Sequence, residues 1–242
     1  MGDQRIHRPN FAPIMDELRA LDPLAVDWTL MILLVCIALL GWINLVSPRK
    51  WPLIVRSVFT YRLGRQSLRD ELDLQDRSLI SLLLMACGVS ALFATQVAVL
   101  NGGASNSFLL WLRMFGIVVG VVVVQVVVLR SMSVVFQGDG GITEYLYTAL
   151  VFHVAAGLVL LPFTALLAYP HEVGWRAWLA LAAGVLLALI TLFRWLRAAL
   201  VGWGEGVPLR YILIYLCALE FLPVAILLEH LRTTNQDLSV NL

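Results

Sequence analysis

The sequence predicts an all-α integral membrane protein, a helical bundle of about six transmembrane helices. Three observations predict it. Hydrophobic residues make up 60% of the 242 and charged residues only 14%, with a mean hydropathy of +0.86, whereas a soluble domain runs at roughly 45–50% apolar and about 25% charged. The excess gathers in runs of about twenty residues, the length a helix needs to cross a hydrocarbon core about 30 Å thick. Arginines crowd the ends of these runs and one long connection between them.

Residues 1–27 are polar and mixed in charge, with no apolar stretch that would serve as a signal-peptide core. After Pro13, Ile14, Met15 and Leu18 fall on one face and Asp16 and Glu17 occupy the first turn, the pattern of a short amphipathic helix at the membrane surface. The membrane domain spans 28–230. Its first span, 28–46, begins at Trp28 and carries Trp42 toward the opposite interface. The loop 47–77 holds seven basic residues, Arg49, Lys50, Arg56 and Arg62 among them. Its first part places Trp51, Val55, Val58 and Phe59 opposite Arg56 and Arg62. Two readings stand: an interfacial helix anchored on acidic lipid headgroups, or a solvated loop that fixes orientation.

Span two is 78–100, and an Asn-Gly-Gly turn leads to span three, 108–129. Gly116 and Gly120 form a G-x-x-x-G pair there, which lets another helix approach closely. The Gln137–Gly141 loop is glycine-rich but lacks the Lys-Ser/Thr ending of a phosphate loop. Span four, 144–169, carries His153 and Pro162. Span five, 175–196, has Ala180, Gly184 and Ala188 at four-residue spacing, a second close-packing face. Span six is 209–229, and residues 231–242 form a polar tail.

Six spans put both ends of the chain on one side. With those ends outside, eleven of the 17 basic residues lie inside and six outside. The positive-inside rule then places loop 47–77 in the cytoplasm and both termini in the periplasm.

Candidate chemistry is sparse. Glu220 sits near the middle of the last span, about 16 Å from its start, where a carboxylate must pair, reach water or hold a proton. Pro223 frees the carbonyl of Leu219 beside it, Cys217 shares its face, and Tyr215 requires an acceptor at that depth. His153 lies at similar depth in span four. It either exchanges a proton with Glu220 or makes a neutral hydrogen bond between two helices. Gln96 and Gln125 are expected to make single interhelical hydrogen bonds, and Arg113 and Arg194 to snorkel from span ends. The three cysteines, Cys36, Cys87 and Cys217, show no metal or disulfide spacing and read as small buried hydrophobes. No metal, no cofactor and no catalytic constellation is implied, and His153 has no second histidine placed to share a haem.

The stretch Tyr215-Leu-Cys-Ala-Leu-Glu220-Phe-Leu-Pro223 resembles the closing-helix pattern Tyr-Leu-Cys-x-Leu-Glu-x-x-Pro of a family of multi-pass inner-membrane proteins from Bacteroidota, catalogued as a domain of unknown function. The likeness extends over Phe59, Tyr61, Arg62, Leu68 and Arg69 of the basic loop and over Gly157-Leu158 to Pro162. It implies residence in the cytoplasmic membrane. It also implies Asn at many equivalents of His153, which favours hydrogen bonding over proton relay there.

The leading expectation is a non-enzymatic inner-membrane component of a cell-envelope assembly, acting by helix packing and a basic cytoplasmic loop. Its partners are the lipid bilayer and other membrane subunits or copies of itself, with no nucleic acid. The alternatives are a small proton-coupled carrier using Glu220 and a membrane-embedded lipid-processing enzyme. The first lacks a visible inverted repeat. The second lacks a cluster of polar residues at one interface.

Overall fold

A computed structural model describes residues 24, 26–46, 77–102, 105–135, 142–169 and 173–204. Five helices make up this region: α1 (Asp27–Val46), α2 (Arg77–Leu100), α3 (Phe108–Val135), α4 (Ile142–Ala168) and α5 (Val173–Gly204). No strand occurs among the described residues. All five helices are long and apolar enough to cross a membrane, so the protein is a membrane helical bundle. Span six and the basic loop, with Arg49, Lys50, Arg56 and Arg62, lie outside the described residues, as do Tyr215, Cys217, Glu220 and Pro223.

Two helices run past the ends that hydropathy suggests. The apolar run of α3 stops at Leu129, yet the helix continues to Val135, because nothing in Arg130–Val135 breaks it. Likewise α5 continues through Arg197, Ala198, Ala199 and Leu200 to Gly204. Hydropathy marks where lipid ends, whereas a helix ends only where a cap or breaker stops it.

The core lies between α2 and α4. In these helices 56% and 50% of the membrane window is buried, against 6% for α5. Met85, Val89 and Phe93 of α2 meet Val151, Val154 and Leu160 of α4, with Cys36 and Ile43 of α1 and Ala183 of α5 closing the cluster. A smaller cluster joins Cys87 to Val122 and Leu129 of α3 and to Leu146 and Leu150. Thus α1, α3 and α5 are arranged around a central pair.

The central helices run in the same direction. Cys87 meets His153, and further along both helices Gln96 meets Thr164. The same polarity follows from the one intervening helix, α3, which carries the chain back before α4 begins. At the turn after α2, Gly102 adopts φ 69°, a left-handed conformation that glycine takes without steric cost. Its N–H donates to Val99 O at 3.0 Å, satisfying one of the helix's last carbonyls. Ser107 then opens α3 by accepting from Leu110 N at 3.2 Å, an N-cap bond. Trp28 at the start of α1 packs edge-on to Phe108 at the start of α3, with ring centroids 6.1 Å apart. Both helices therefore begin at the same membrane face.

Candidate functional site

Polar side chains inside the bundle concentrate on the α2–α4 seam and on the side of α4 that meets α5. His153 is the twelfth residue of α4, far from either end. Its Nε2 lies 3.6 Å from Cys87 Sγ, within reach of a sulfur hydrogen bond whose donor depends on the ring tautomer. One turn further along α4, Gly157 allows the closest approach of the two helices: a Cβ at that position would lie 2.5 Å from Ala86 Cα. Only glycine fits there, and the backbones come together as small residues permit in membranes.

Toward the far end of the seam, Gln96 Nε2 donates to the carbonyl of Thr164 at 3.0 Å. Gln96 is only 2% exposed, and its Oε1 has no hydrogen-bond partner among the described residues. Thr95 and Thr164 flank it, each donating its hydroxyl back to its own helix, to Ala91 O and Leu161 O, both at 2.8 Å. Thr164 sits just beyond Pro162, which α4 contains without ending. Trp111 of α3 donates Nε1 to Gly88 O at 3.3 Å, a carbonyl reachable because Gly88 has no side chain over it.

On the other side of α4 stands α5, whose Arg194 is half-buried. One turn on, the Arg197 guanidinium carbon lies 5.9 Å from the Phe152 ring centroid, a cation–π distance. Phe152 also packs on Phe193, with centroids 5.9 Å apart. Because α5 extends to Gly204, Arg194 lies ten residues inside its helix instead of at the end. The apolar span that holds it closes three residues later, at Arg197. Arg113, by contrast, is exposed near the start of α3, as snorkelling requires.

The two expected close-packing faces divide. Ala180 packs against the main core. A Cβ at Gly116, Gly120 or Gly184 would meet nothing within 4 Å among the described residues, and Ala188 is exposed. The fully buried small residue of α5 is Ala183, one position from the face its Ala-Gly-Ala spacing suggests. Gln96 makes its interhelical bond, whereas Gln125 Nε2 is buried without a partner among the described residues. The small-residue contact that sequence reading passed over is Gly157 on Ala86. Its signal was Ala149, His153 and Gly157 at four-residue spacing on one face of α4.

Cys36 and Cys87 are buried free thiols. Among the described residues no three His, Cys, Asp or Glu side chains gather as a metal site would require. The geometry links helices.

The family model for a domain of unknown function, DUF4271, matches residues 29–231. The chain belongs to the DUF4271 family. That match takes in α1 from its third residue, the other four helices of this DUF4271 chain, the basic loop and the last apolar run, so the α2–α4 seam lies wholly inside the family domain. No curated protein and no solved structure matches the chain.

Proposed function

We propose that this DUF4271 protein is a non-enzymatic, integral component of a cell-envelope assembly in the bacterial cytoplasmic membrane. It acts by packing its helices against partner helices and by holding the basic loop 47–77 at the cytoplasmic surface, with both termini periplasmic. The observation that carries this reading is the outward face of α3. Gly116 is exposed, and beside Gly116 and Gly120 no described residue comes within 4 Å of where a Cβ would stand. Lipid tails fill such notches poorly, whereas a second helix fills them well. Supporting it, the polar side chains of the seam are engaged in linking the chain's own helices.

The test is co-purification from native membranes in mild detergent, comparing the natural protein with Gly116→Leu/Gly120→Leu. The double variant is expected to fold, since both positions have room, and to lose the membrane proteins or second copy that accompany the natural chain. Identical companions for both proteins would refute the reading.

A further inference from the structure

Of the six buried polar or charged side chains among the described residues, five (Thr29, Thr95, Gln96, Thr164 and Arg176) stand within six residues of the same end of their helices. That end is the membrane face at which α1, α3 and α5 begin and α2 and α4 finish. In this layer the indole Nε1 of Trp28, a donor, and Oε1 of Gln96, an acceptor, are buried with no hydrogen-bond partner among the described residues. Both residues stand on core faces. Trp28 precedes Ile32 by one turn and Cys36 by two, and Gln96 follows Phe93 by one turn and Val89 by two. They also share a level. Cys36 Sγ lies 3.9 Å from where a Gly88 Cβ would stand, and α1 and α2 run in opposite directions. Eight residues back from Cys36 is Trp28, and eight on from Gly88 is Gln96, each about 12 Å nearer the face.

We propose that a hydroxyl group, of water or of a lipid headgroup, binds where α1 meets α2 at this level, accepting from Trp28 Nε1 and donating to Gln96 Oε1. The donor–acceptor pair selects the chemistry of the ligand. A metal cation satisfies Gln96 and leaves the indole N–H unmet, while an anion or a carbonyl does the reverse. A hydroxyl accepts and donates at once. The neighbouring hydroxyls of Thr95 and Thr164 give their protons to Ala91 O and Leu161 O, so neither supplies the donor that Gln96 Oε1 takes. Arg176 adds a fixed positive charge to the layer, which disfavours a cationic ligand further. Gln96 is four residues from the end of α2, about 6 Å in, so the site is entered from the membrane face. A water held this way is exchanged for bulk water at little net free energy, so the contact itself is the readout. The site stands apart from whatever packs on α3.

The test is the nuclear Overhauser contact of the Trp28 indole N–H in the full-length protein, isotope-labelled at tryptophan nitrogen and held in nanodiscs. Its signal is assigned by its loss in Trp28→Phe. Phosphatidylcholine, which has no hydroxyl, and phosphatidylglycerol, whose glycerol headgroup carries hydroxyls, separate the two sources. A contact to water in either lipid identifies water; a contact to headgroup protons, confined to phosphatidylglycerol, identifies the lipid. Either contact is expected to fall several-fold in Gln96→Leu and in Gln96→Met, each of which removes the acceptor. The Trp111 indole, which donates to Gly88 O, is the internal control and is expected to show neither. No contact at Trp28 in either lipid would overturn the proposal. So would a contact that both Gln96 variants leave unchanged, since the indole would then simply touch the interface.

Discussion

Gln96 illustrates how the membrane interior treats a polar side chain. Its amide donates across the seam to Thr164 O, while its Oε1 has no hydrogen bond among the described residues, in a site almost closed to solvent. A bond of this kind contributes roughly 0.6–2 kcal/mol in membranes, and a buried, unsatisfied carbonyl costs about 1–3 kcal/mol. The two nearly cancel. Thr164 O keeps its place in the α4 ladder without Gln96, so Gln96→Leu is expected to shift stability by no more than about 1 kcal/mol. Heating in detergent followed by size-exclusion detection of the surviving fraction measures this; a large loss would mean that a donor beyond the described residues satisfies Oε1. His153 and Gln96 were both visible in the sequence as polar residues in apolar runs. Their partners were not, because Cys87 and Thr164 lie 66 and 68 residues away and nothing in either run specifies its neighbour.

The same asymmetry holds for the elements. Apolar runs of twenty residues announce helices because the bilayer sets their length, and all five described helices coincide with such runs. Their ends were less legible: α3 and α5 outlast their lipid-facing portions, which moved Arg194 from a helix end to a helix interior. Four-residue spacing of small residues marks a face without saying whether a helix covers it. At Gly157 one does, and at Gly184 a Cβ would meet none of the described residues within 4 Å. Gly157→Ala would drive a methyl into the Ala86 backbone, and the helices must separate to admit it. A loss of about 1–3 kcal/mol is expected, while Gly184→Leu leaves the monomer folded. Equal thermal stability of Gly157→Ala and the natural protein would show that the α2–α4 seam is looser than drawn.

At the scale of the whole molecule, α2 and α4 form the axis, and α1, α3 and α5 shield it with faces that meet lipid or other helices. The parallel run of α2 and α4 agrees with a chain that crosses back and forth, and the orientation proposed from the excess of Arg and Lys has loop 47–77 in the cytoplasm. In intact cells an impermeant thiol reagent is therefore expected to label a single cysteine at position 238 and to spare one at position 66; the reverse pattern would invert the topology. Fold class was legible because membrane insertion is written in composition and run length. Function was less so, since a binding face on a membrane helix differs from a lipid-facing one by a few missing methyl groups.

The central claim is that α3 offers its glycine face to another helix. Site-specific photo-crosslinking in native membranes tests it most directly. A benzophenone side chain is placed at position 116 and, as a control, at position 34 of α1, where Leu34 is 56% exposed. The account predicts a discrete protein adduct from position 116 and lipid adducts alone from position 34. Lipid adducts alone from position 116 would contradict it.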